Sequence, residues 1–150
     1  MSLRQNRIER ITGVYQEYLA ARVAVDLLDQ ELKIDPGFLT PQGVRGRVAR
    51  SLRANLETTY FIRLYAEFEG GLRDFWGNAL GQDTQPPMRD LLSAITARRV
   101  IPYLWALETD KVRQFRNALV HERPAELMSM PIYDSYQSLC RYFSRLPSYW

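Results

Sequence analysis

The chain has 150 residues, of which 46% are hydrophobic and 25% charged, and its formal net charge is +3. This length suits one domain spanning residues 1–150 with its own core, and this balance excludes a disordered chain. No apolar run approaches a membrane span, MSLRQNRIERITGVYQEYL lacks the continuous apolar stretch of a signal peptide, and one cysteine cannot form an internal disulfide. These features favour a cytoplasmic protein.

In chain order, apolar residues recur at helical spacing almost throughout. Residues 4–33 carry a stripe of Ile8, Ile11, Tyr15, Tyr18, Val25, Leu28 and Leu32, which Asp35-Pro36-Gly37 ends. Thr40-Pro41 supplies a cap and a first-turn proline for a second helix running to about residue 79, with an early kink near Gly43 or Gly46. Its stripe is Phe61, Tyr65, Phe68, Leu72 and Phe75. GQDTQPP (81–87) is the clearest turn, and a short helix follows over about 88–98. Pro102 opens the next helical stretch, which stops before Pro124. Thr109 offers a cap inside it, so one helix or two fit the pattern. Pro131 begins the last helix, with Ile132, Tyr136, Leu139 and Phe143 inward and Cys140 beside that stripe. The expected fold is an all-α up-and-down bundle of four to five helices, two long ones followed by shorter ones.

Lys33 and Lys111 are the only lysines among twenty basic residues. The planar fork of arginine suits phosphate and carboxylate, but the base composition of the source genome is the simpler explanation of such a bias, which permits nucleic-acid contact without being evidence for it. RGRVARSLR (45–53) gathers Arg45, Arg47, Arg50 and Arg53 with no acid. One reading is a phosphate-tracking edge that captures single-stranded RNA. The other is a solvated helix face, balanced by Asp26, Asp29, Glu31 and Asp35 nearby in sequence.

His121 is the only histidine. At about 100° per residue, Val112, Phe115 and Leu119 share one side of their helix, while His121 falls nearly opposite. Asn117 lies one turn before His121 and Arg113 two turns before, with Arg116 at the border. Val120 also points away from the core stripe, which fits a covered surface such as a subunit interface. His121 sits in the last turn, where the partial negative charge of the helix end favours an imidazolium able to donate a proton. A lone solvated histidine is the plain alternative. One His and one Cys are too few for the usual zinc sets, and neither a P-loop nor a Gly-x-Ser-x-Gly elbow is present.

Arg116-Asn117 followed by His121 resembles the Arg-x4-6-His motif of the HEPN superfamily (higher eukaryotes and prokaryotes nucleotide-binding), including the frequent asparagine after the arginine. ETTYFIRLYAEFEGGLRDFW (57–76) is similar to the aromatic, glutamate-containing helix that packs near that motif in the family. The resemblance implies a metal-independent endoribonuclease without cofactor, of toxin–antitoxin or antiphage defence type, forming a homodimer with a composite site. An antitoxin or inhibitor protein would restrain it. Arg116, Asn117 and His121 are the implied catalytic residues, with Glu67, Glu69 and Arg113 in support. Either glutamate would fix an active-site arginine; the alternative is a local bridge, Arg63 with Glu67 or Glu69 with Arg73. One branch of the family carries His-x-Tyr, whereas this chain reads His121-Glu122-Arg123, so modification of that tyrosine does not carry over. Two rival readings stand: a catalytically silent helical module binding RNA, nucleotide or protein, and a dimeric scaffold in which Arg116 and His121 only bridge subunits.

Overall fold

The computed structural model describes residues 2–121 and 129–150. Five α-helices, and no strand among the described residues, make up the chain: α1 (Leu3–Ile34), α2 (Gly46–Asp74), α3 (Met88–Arg99), α4 (Tyr103–Val120) and α5 (Ile132–Ser144). The long pair comes first and the shorter helices follow, as expected. No helix among the described residues is long and apolar enough to cross a membrane.

Local chemistry sets the helix ends. The Ser2 hydroxyl accepts from the Gln5 N–H at 3.0 Å, satisfying one of the orphan donors that open α1. At the other end the Asp35 carboxylate accepts from the Gly37 N–H at 2.9 Å and turns the chain. Thr40–Gln42 then forms a separate 3-10 turn, closed by Gly43 at φ 69°, and α2 starts only at Gly46. The expected kink is therefore a full break, because the left-handed backbone at Gly43 cannot continue a helix. Beyond Asp74, α2 widens into a π-helical turn over Phe75–Ala79. Helix α4 is unbroken. Thr109 is buried in its middle and caps nothing. Pro124 lies outside the described residues; α4 ends at Val120.

α1, α2, α4 and α5 alternate in direction. α1 and α2 run antiparallel, with Arg7 paired to Asp74, Arg10 to Glu67, Arg63 to Glu17 and Arg53 to Asp26. α5 returns antiparallel to α1, where Tyr136 stacks on Tyr15 at 4.7 Å between ring centroids. α3 packs against α4 and sends Leu91, Leu92 and Ile95 into the core. All five residues of the α2 stripe are buried, and Phe68 meets Tyr142 and Phe143 edge-to-face at 5.6 and 5.2 Å. Each such pair adds about 0.5–1.5 kcal/mol beyond its buried area. The far ends of α1 and α2 form a two-helix arm. Val25 and Ala49 are buried there, while Val23, Leu27, Val48 and Leu52 are exposed.

Candidate functional site

α4 holds the motif residues because its two faces differ in chemistry. Val112, Thr109 and Ala118 are buried, and Phe115 and Leu119 pack against the core from the edge. This fixes the opposite face, with Asn117 and His121, toward solvent. Phe115 meets Phe61 of α2 edge-to-face at 5.0 Å. One turn deeper along α2, the Arg116 guanidinium carbon lies 5.8 Å from the centroid of the Tyr65 ring. Farther along α4, Leu119 shares a cavity wall with Ala54 and Thr58, so α4 runs antiparallel to α2 and its C-terminal end faces the turns of α2 that precede Phe61.

His121 closes α4 at φ −94° and ψ 11°, its backbone N–H donating to the Asn117 carbonyl at 3.0 Å. Its side chain is exposed, and the neighbouring Val120 keeps 44% of its surface open, in agreement with the helical wheel. The next residues, Glu122 and Arg123, lie outside the described residues.

Arg116 is half-buried, and its surroundings are unusual for a guanidinium. Nη1 donates to Asn117 Oδ1 at 3.1 Å. Nε is buried with no hydrogen-bond partner among the described residues. Leaving such a donor unpaired costs about 1–3 kcal/mol, partly offset here by the attraction of the Tyr65 face, about 0.5–2 kcal/mol. No carboxylate among the described residues forms an ion pair with it. Asn117 is therefore engaged with the arginine beside it.

Neither glutamate fixes Arg116. Glu67 pairs with Arg10 of α1, taking a hydrogen bond from Nη2 at 3.3 Å with Nε 2.9 Å from its other oxygen. Glu69 is held by Arg73 at 2.7 and 3.0 Å, the local bridge at helical spacing. Arg63, the other local candidate for Glu67, pairs instead with Glu17 at 2.7 Å. Arg113 does share the Arg116 side of the helix, but Asp110 holds its Nε at 2.7 Å. Burial pushes the Asp110 carboxyl up. The hydrogen bonds from Arg113 and Gln114, with the charges of Arg113 and Arg89, outweigh that and hold it below its ordinary value.

Sequence reasoning missed the pairing of Asp110 with Arg113 and the contact of Tyr65 with Arg116. Asp110-x-x-Arg113 is a visible i,i+3 pair. Tyr65 was legible only as a core aromatic, although its hydroxyl distinguishes it from the Phe and Leu residues of the same stripe. That hydroxyl is buried and has no partner among the described residues, and burial raises its pKa well above the usual phenol value.

The arginines of the second helix divide. Arg53 is neutralised, with Nη1 at 3.1 Å from Asp26 and 3.6 Å from Asp29. Arg45, Arg47 and Arg50 are exposed and form no ion pair among the described residues. Arg47 and Arg50 share the α2 face that carries Ala54, Thr58 and Phe61, by their i,i+3 and i,i+4 spacing. Ala54, Thr58 and Phe61 line a cavity of about 200 Å³ together with Phe115 and Leu119. From Ala54, α2 continues eight residues to Gly46, roughly 12 Å of helix past the end of α4. The arm therefore carries Arg47 and Arg50, without an ion pair among the described residues, outward from the end of α4 that bears His121. Among the described residues, no three His, Cys, Asp or Glu side chains gather as metal ligands.

No family model, curated protein or solved structure matches this chain.

Proposed function

We propose that the chain is a HEPN-type endoribonuclease that acts in the cytoplasm as a homodimer and needs no metal ion. The observation that supports this most is the state of Arg116: a half-buried guanidinium with a buried donor that has no partner and no ion pair among the described residues, five residues before an exposed histidine at the helix end. An arginine without an ion pair among the described residues, on the same helix end as a histidine, is suited to a phosphodiester, which supplies negative charge and acceptors.

Cleavage needs a proton removed from the ribose 2′-hydroxyl and another delivered to the leaving 5′-oxygen. The 2′-oxygen attacks phosphorus, the bond from phosphorus to the 5′-oxygen breaks, and the products carry a 2′,3′-cyclic phosphate and a 5′-hydroxyl. Two transfers need two groups of suitable pKa, and each chain has one histidine. In a symmetric pair His121 takes the first proton and the partner's His121 gives the second. Arg116 binds the phosphate, Asn117 steadies Arg116, and Arg47 and Arg50 guide the strand along the arm. Exposed Val120 suits an axis near the two histidines. A toxin or antiphage effector restrained by an antitoxin is the corresponding biological role.

The test compares wild type with His121→Ala and Arg116→Ala for RNA cleavage in EDTA and for growth arrest on expression. Wild type should leave 2′,3′-cyclic phosphate ends, and each variant should lose on the order of 100-fold or more in kcat/KM while staying folded and dimeric. A folded, dimeric wild type that neither cuts RNA nor slows growth would sink the enzyme reading. Arg45, Arg47 and Arg50, exposed and without an ion pair among the described residues, favour one second reading, a silent RNA-binding module. Strand binding without cleavage, weakened by Arg47→Ala and Arg50→Ala but not by His121→Ala, would select it.

A further inference from the structure

We propose that Tyr65 is a positioning residue that holds the Arg116 guanidinium ready to receive a phosphate. The proposal rests on the reading of Arg116 as the phosphate-binding group. Two constraints act on that guanidinium. The Tyr65 ring, 1% exposed and held in the core beside Phe68, lies beneath it at 5.8 Å and draws the cation toward its face. Asn117 Oδ1 takes Nη1 at 3.1 Å and restricts rotation within the plane. Together they leave the remaining donors with fewer attitudes, and no acid among the described residues pairs with them.

A carboxylate would restrain the arginine equally well, but it would cancel the charge and compete with the substrate. Here both candidate carboxylates are drawn away, Glu67 to Arg10 and Glu69 to Arg73. An aromatic face attracts the cation without neutralising it, so the site keeps both its order and its charge. Tyr65 reaches this position because α2 and α4 cross with Phe61 against Phe115, which sets the next turn of α2 beneath Arg116. Phe in place of Tyr65 keeps the ring and removes a buried hydroxyl that has no partner among the described residues.

The Arg116 Nε–H resonance, assigned by its loss in Arg116→Lys, reads this arrangement directly. It should lie upfield from ring current in wild type and Tyr65→Phe, and move to the ordinary arginine position in Tyr65→Leu. Titration with inorganic phosphate should show affinity about fivefold weaker in Tyr65→Leu and unchanged in Tyr65→Phe. For RNA cleavage, kcat should fall on the order of 10- to 100-fold in Tyr65→Leu with a smaller change in KM, and Tyr65→Phe should restore it. An unshifted wild-type resonance, or equal phosphate affinity in wild type and a folded Tyr65→Leu, would overturn the positioning role. Should Tyr65→Leu fail to fold, the wild-type and Tyr65→Phe resonances decide it. A ring-shifted Arg116 that binds phosphate in a protein that cuts no RNA keeps the positioning role and defeats the ribonuclease reading.

Discussion

At the scale of single residues, Val100 carries the clearest local conflict. It closes α3 in the left-handed region at φ 51° and ψ 48°, where its N–H reaches the Thr96 carbonyl, and 82% of its surface is exposed. A left-handed residue is what this helix terminus requires, but a β-branched side chain is poorly suited to that backbone. The left-handed conformation costs an L-residue about 1–2 kcal/mol, and glycine returns part of that gain through its looser unfolded state. Val100→Gly should therefore raise stability by about 0.5–1 kcal/mol in urea unfolding, with catalysis untouched. A drop in stability would show that Val100 contributes packing its exposure does not suggest.

At the scale of elements, the adjacent glycines of α2 answer to different forces. Helix propensity favours alanine over glycine by about 1 kcal/mol at either position. A Cβ on Gly70 would meet nothing within 4 Å, whereas one on Gly71 would lie 2.6 Å from the Phe143 ring and 3.2 Å from the Arg7 side chain. Phe143 is fully buried and has nowhere to retreat. Gly70→Ala should stabilise by about 0.5–1 kcal/mol, and Gly71→Ala should destabilise by about 1–3 kcal/mol through overpacking. Equal effects in thermal melts would mean that α2 and α5 are less closely packed than the contact at Gly71 indicates. This close approach brings α5 against α2, and so fixes the bundle on which α4 presents Arg116.

At the scale of the whole molecule, several buried groups must stay neutral for the bundle to hold. Burial pushes the Tyr142 hydroxyl up to about 12 from 10.0, against the opposing hydrogen bond with Thr96. Burial likewise pushes the Cys140 thiol up to about 11 from 9.0, against hydrogen bonds with Tyr136 and Thr12. Tyr65 shifts in the same direction. Each group is neutral when folded and ionises earlier when unfolded. Their stabilisation is fully present below about pH 9 and is lost as pH rises through the folded values. The melting temperature should fall steadily from pH 9 to pH 11, and Tyr142→Phe should flatten the upper part of that fall. A melting temperature constant across this range would contradict the burial of these groups.

The helices and the α2 core stripe were legible in the sequence, because periodicity and turn chemistry act over a few residues. So was the outward face of His121, since it follows from the pitch of one helix. The start of α2 was not, since Thr40-Pro41 opens only a 3-10 turn before Gly43 breaks the chain direction. Only the tertiary structure decided the partners of the charged side chains. Glu67 turns to Arg10, fifty-seven residues away in the chain, and Arg53 turns to Asp26 and Asp29, while Glu69 keeps its local arginine. Ion pairs form with whichever helix lies alongside, and a single-chain pattern does not specify neighbours. The same reason hid Tyr65: its place on a stripe was visible, but its position beneath Arg116 depends on how α2 and α4 cross.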